Sequence, residues 1–106
     1  MDDFAEEVLQ IVELIPPGRV LAYGDVAELL GHGGPRQVGQ VMSRFGAAVA
    51  WWRVVRADGR PVRGLEDEAL RRLRDDDTPL RGDRVDMGRA RLRNDPRSPE
   101  LDNDAP

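Results

Sequence analysis

Apolar residues recur at three- and four-residue steps through the first fifteen positions, at Phe4, Val8, Ile11, Val12 and Ile15. That spacing gathers them on one side and predicts an amphipathic helix over residues 3–14 with an acidic outer face. Pro16-Pro17-Gly18 ends it, because proline lacks the N–H a helix needs and disfavours helical geometry in the residue before it. After a short extended stretch, Arg19 to Ala22, the run Gly24 to Leu30 predicts a short helix with Val26, Ala27, Leu29 and Leu30 facing inward. Gly31-His32-Gly33-Gly34 reads as a turn with His32 at the surface. Pro35 suits the first position of a third helix, in which Val38, Val41, Met42 and Phe45 form the apolar stripe and Arg36, Gln37, Gln40 and Arg44 stay outside. Two short helices joined by a glycine-rich turn make a helix-turn-helix pattern.

The period then changes. Trp52-Arg53-Val54-Val55-Arg56 alternates and is rich in strand formers, Asp58-Gly59 is a two-residue hairpin signal, and Arg60-Pro61-Val62 predicts a short return strand that Pro61 confines to a sheet edge. Residues 66–74 predict a last helix, carrying Leu70 and Leu73 and followed by Asp75-Asp76-Asp77. Residues 94–106 contain three Pro, four acids and one Leu, too little apolar surface for a core. The expected organisation is one folded domain over 1–93 and a disordered acidic, Pro-rich tail over 94–106.

Composition narrows the chemistry. The chain has no Cys and a single His, so disulfides, thiolate metal sites and cysteine nucleophiles are excluded, and no metal or cofactor site is expected. No apolar run approaches the roughly 20 residues of a membrane span, and the acidic start Met1-Asp2-Asp3 is unlike a basic signal-peptide opening. A cytoplasmic protein without membrane contact is the expectation. The formal net charge of -4 argues at first against a nucleic-acid partner. Its distribution reverses that argument. Residues 1–13 hold five acids and no base, residues 14–74 hold ten Arg against six acids, and residues 75–106 hold six Arg against nine acids. The acidic ends conceal a basic centre, built from arginine, whose planar fork reads phosphates and base edges.

The segments Ile15-Pro16-Pro17-Gly18-Arg19-Val20-Leu21-Ala22-Tyr23-Gly24-Asp25-Val26-Ala27, Pro35-Arg36-Gln37-Val38-Gly39 and Trp51-Trp52-Arg53-Val54-Val55 together resemble the DNA-binding domain of O6-alkylguanine-DNA alkyltransferases, over about residues 4–90 in consistent order. The active-site motif departs from the family. Where the enzymes read Pro-Cys-His-Arg-Val, this chain reads Ala50-Trp51-Trp52-Arg53-Val54, so Trp51 stands at the alkyl-accepting cysteine and Trp52 at the histidine that activates it. Two further departures, around Asp75-Asp76 and in the loop before Trp51, fall where the family keeps Glu-Gly and Asn-Pro. This pattern resembles the alkyltransferase-like proteins, which bind alkylated guanine without repairing it. Alkyl transfer needs a thiolate, and indole has neither the acidity nor the nucleophilicity to replace it.

The resemblance implies a small α/β, winged-helix-like fold with a helix-turn-helix and a short β-hairpin, no catalytic residue, and double-stranded DNA containing O6-alkylguanine as partner. It also implies a flipped base, since a pocket of this kind reads O6 only after the nucleotide leaves the stack. Arg36 would fill the gap in the duplex, Tyr23 would press on the phosphate, and Gly39 would let the helix approach the minor groove, with Gln37 and Gln40 beside it. Trp51 and Trp52 would line the pocket with Arg63, and Arg53 would stand near it; Arg56 and Arg60 are phosphate contacts or solvated. Nucleotide excision repair proteins are the implied downstream partners, and the protein would act as a monomer, associated with the nucleoid when on DNA. The alternative is a helix-turn-helix regulatory or protein-interaction module without lesion specificity.

Overall fold

A computed structural model describes residues 1–98; residues 99–106 of the expected tail lie outside the described residues. The first helix, α1 (Asp3–Leu14), starts where the Asp2 side chain accepts the Ala5 N–H at 2.8 Å, and Asp3 and Glu6 in its first turn complement the helix dipole. It buries Ala5, Val8, Ile11 and Val12. A two-residue strand, β1 (Leu21–Ala22), leads directly into α2 (Tyr23–Leu30), which closes on Gly31 at a left-handed φ of 80°. The third helix, α3 (Pro35–Phe45), begins with proline, and the Gln37 side chain accepts the Gly34 N–H at 3.0 Å. These three helices share one core, in which α3 contributes Val38, Val41 and Met42.

The strand expected over 52–56 is shorter and its partner is different. Trp51–Arg53 is a single 3₁₀ turn, and only Val54–Val55 (β2) is extended. β2 pairs in parallel with β1, Leu21 opposite Val54 and Ala22 opposite Val55. The Asp58-Gly59 turn does form, with the Arg56 N–H donating to the Arg60 carbonyl at 2.9 Å. No return strand follows, since Pro61 has no N–H to offer and its carbonyl accepts from Arg56 Nε at 3.0 Å. The β-hairpin of the fold lies further on, between β3 (Leu80–Arg81) and β4 (Arg84–Val85).

The last long helix, α4 (Glu66–Asp75), buries Ala69, Leu70 and Leu73 in a second cluster with Val20, Val55 and Val85. A one-turn helix, α5 (Met87–Ala90), brings the chain back to β1, where Val20 N–H donates to the Ala90 carbonyl and Leu92 N–H to the Val20 carbonyl. Arg91 then reaches Asp25, an 8% exposed carboxylate on α2, through Nε at 2.9 Å and through Nη2. The described start of the expected tail also has contacts, because Arg97 Nη2 donates to the Leu29 carbonyl at 2.9 Å. None of the helices among the described residues is long and apolar enough to cross a membrane.

Candidate nucleic-acid interface

The side chains singled out by sequence converge on one end of the helix pair. A cavity of about 350 Å³, within the ordinary range for ligand pockets, opens between α2, α3 and the loops on either side of β2. Tyr23 at the start of α2 and Gly39, Met42 and Ser43 on α3 form two walls. Trp51 closes a third, and Val62, Arg63 and Leu65 the fourth. Helical spacing explains the α3 wall, since Gly39, Ser43 and Gly46 follow Arg36 at three- and four-residue steps and fall on one face. Arg36 and Arg63 are exposed and, among the described residues, make no ion pair or hydrogen bond.

Tyr23 is partly buried, and burial holds its phenol above the ordinary value, while the nearby Arg56 guanidinium pulls in the opposite direction. It stays protonated near neutral pH and able to donate a hydrogen bond. An indole wall, a phenol and an unpaired guanidinium around one cavity suit a flat, polarisable ligand, which gains from stacking and from a cation over its face.

Gly39 has a further peculiarity. A Cβ there would meet no protein atom within 4 Å, so packing inside the chain does not call for glycine, although glycine in mid-helix costs about 1 kcal/mol relative to alanine.

Two expected pocket residues are elsewhere. Trp51 and Trp52 meet edge to face at 5.7 Å, but the 3₁₀ turn sends them to different clusters. Trp52 packs toward α4, where Nε1 donates to Asp76 Oδ2 at 2.9 Å and the Arg72 guanidinium lies 4.7 Å over its ring. Arg53 binds the same carboxylate at 2.8 and 3.1 Å and donates to the Ile15 carbonyl at 3.0 Å. Neither lines the cavity; both brace the turn that carries Trp51. Gln37 and Gln40 border a separate groove with Phe4 and Arg44 on the α1 side of α3. Arg60 pairs with Asp58 at 3.0 Å at the exposed turn, and His32 stays at the surface, 3.2 Å from Glu7. Met42, Val62 and Leu65 were not anticipated as pocket residues. Among the described residues, no group of His, Asp and Glu side chains is arranged to hold a metal ion.

Asp76 gives this bracing a pH dependence. Partial burial would raise its carboxyl, but the hydrogen bonds from Arg53 and Trp52 and the Arg53 charge outweigh that and hold it below the usual range. A lowered folded-state pKa stabilises the protein above the unfolded value, near 3.9, and that contribution disappears as pH falls through the folded value. Asp76→Asn is therefore expected to lose about 2 kcal/mol at pH 7 and to close the gap with wild type below about pH 4. Urea unfolding of both proteins between pH 3 and 7 measures it; a gap that stays constant to pH 3 contradicts the assignment.

Residues 3–75 match the family profile described as 6-O-methylguanine DNA methyltransferase, DNA binding domain. The chain belongs to this family. Relatives named DNA base-flipping protein are similar to it: that of Escherichia coli K12 is 48% identical over 61 residues, covering 55% of this chain and 47% of the relative. That of Vibrio parahaemolyticus is 32% identical over 63 residues, covering 57% of this chain and 63% of the relative. The matched stretch thus spans about half the length of the first of these relatives. Among solved structures, S. pombe Atl1 in complex with damaged DNA containing O6-carboxymethylguanine superposes with a TM-score of 0.77 at 25% identity, covering 89% of this chain and 98% of that one. S. pombe ATL in complex with DNA superposes with a TM-score of 0.67 at 32% identity, covering 76% and 82%. These neighbours carry the winged-helix-like arrangement seen here. Within this methyltransferase-related family, the relatives' names describe base flipping and not transfer.

Proposed function

We propose that the protein binds double-stranded DNA containing O6-alkylguanine, turns the damaged base into the cavity beside Trp51, and leaves the alkyl group in place. The observation that carries this reading is the cavity itself: an indole at the position of the accepting cysteine, flanked by Tyr23 and Arg63. With no cysteine in the sequence, no other side chain supplies the thiolate that transfer requires. Arg36, exposed at the start of α3, fills the space the base vacates, where a guanidinium can stack on neighbouring bases and bond to the orphaned partner. Tyr23 stands against the phosphate at the point of rotation, and Gly39 lets α3 approach the minor groove closely. The bound lesion is then handed to nucleotide excision repair, a monomer marking the site without a cofactor.

The decisive comparison uses two duplexes identical except for one O6-methylguanine. Lesion binding predicts at least tenfold tighter binding of the damaged duplex in direct competition, with affinity for both falling as salt rises. Equal affinity for the two would instead favour a helix-turn-helix regulator, and binding to neither would favour a protein-interaction module.

A further inference from the structure

The Trp51 cavity continues into a second trough of about 590 Å³, which shares Tyr23, Gly39, Val62 and Arg63 with it and runs on past Gly24 to Arg56 and Arg91. Three observations set this trough apart. Gly24 lies in the first turn of α2, without a positive φ, and a Cβ there would meet no protein atom within 4 Å. Neither backbone geometry nor packing requires glycine at this position, yet it weakens the helix, just as Gly39 does across the trough. The room both glycines leave lies outside the protein.

The trough is also cationic. Its carboxylate, Asp25, is taken by Arg91 through two hydrogen bonds and by the Ala22 N–H at 2.8 Å, which leaves Arg56 and Arg63 without a compensating acid in its walls. Finally, Arg56 is held in a fixed direction, because its Nε donates to the Pro61 carbonyl at 3.0 Å, an anchor that uses one of the five N–H donors of its guanidinium. A preoriented guanidinium facing open space above a bare helix start is an arrangement for a phosphate.

We propose that this trough holds a backbone phosphate of the strand whose base is turned out, adjacent to the nucleotide in the Trp51 cavity, with Arg56 as its charge partner and Gly24 as the surface it lies against. The inference rests on the lesion-binding reading and adds a contact for the flanking strand. It predicts that grip on the lesion strand is asymmetric, strongest at one phosphate next to the flipped position.

Duplexes with one O6-methylguanine and a single neutral methylphosphonate at successive positions around it test this with the full chain. One position is expected to weaken wild-type binding about tenfold and to have no further effect on Arg56→Gln, whose salt slope is shallower by about 0.9. Gly24→Glu is expected to bind at least tenfold more weakly while melting no lower than wild type, since an acid in the first helical turn is favoured. Wild-type protein without lesion preference overturns the lesion-binding reading. Intact lesion preference with equal methylphosphonate losses in wild type and Arg56→Gln, or with unaltered binding by Gly24→Glu, overturns the trough.

Discussion

Replacing Trp51 with alanine is expected to bring binding of an O6-methylguanine duplex down to the level of undamaged DNA, a loss of about 10- to 100-fold. Undamaged affinity should change by less than about twofold. The magnitude follows from stacking of a base on an aromatic side chain, about 1–3 kcal/mol per base. Trp51 is a wall of the cavity shared with Tyr23 and Arg63, and no other aromatic ring besides Tyr23 lines it. Trp51→Phe keeps a planar face and should recover most of the preference. Trp52→Ala provides the contrast, since that indole turns toward α4 and bonds to Asp76. It should lower the melting temperature but leave the ratio of damaged to undamaged affinity near the wild-type value. Fluorescence anisotropy with both duplexes, at a temperature where every variant is folded, reads the ratios. Equal loss of the ratio in Trp51→Ala and Trp52→Ala would show that the cavity is not the lesion site.

The different fates of these neighbours show where sequence reasoning stops. α1, α3 and α4 were legible because each repeats apolar residues at helical spacing and has its own punctuation: Pro16-Pro17 after α1, Pro35 at the start of α3, an acidic first turn on α4. The same periodicity located Tyr23, Arg36 and Gly39 at the helix pair. Which tryptophan faces the cavity depends instead on β2 pairing with β1, a contact between distant segments that no local pattern encodes. Asp76 is one of three consecutive aspartates with identical chemistry, and only the position of Arg53 and Trp52 selects it. Asp25 and Arg91 likewise meet because α5 returns the chain to β1. The hairpin at 80–85 did have a turn signal, Gly82-Asp83, but two-residue strands leave no alternation to support it.

Asp58-Gly59 was read as a turn, and the structure attaches a larger consequence to its glycine than turn formation alone. Gly59 has φ of 90°, and a Cβ there would lie 2.3 Å from the Val85 carbonyl oxygen. Its own carbonyl accepts the Val85 N–H at 2.9 Å, which pins the loop onto β4. Gly59→Ala therefore combines a left-handed conformation that alanine resists with an overlap against backbone, which yields less readily than a flexible side chain. The expected cost is about 3–5 kcal/mol, or a melting temperature lower by about 15 °C or more for a domain of this size. Gly82 isolates the first factor, because its φ is 60° and a Cβ would meet nothing within 4 Å. Gly82→Ala should cost only about 1 kcal/mol. Thermal and urea unfolding of the two variants beside wild type separates strain from collision. The comparison also bears on binding, since the loop pinned at Gly59 carries Arg56 at one end and Val62 and Arg63 at the other. If Gly59→Ala melts like Gly82→Ala, β4 does not hold that loop, and some other contact must keep Arg63 over the cavity.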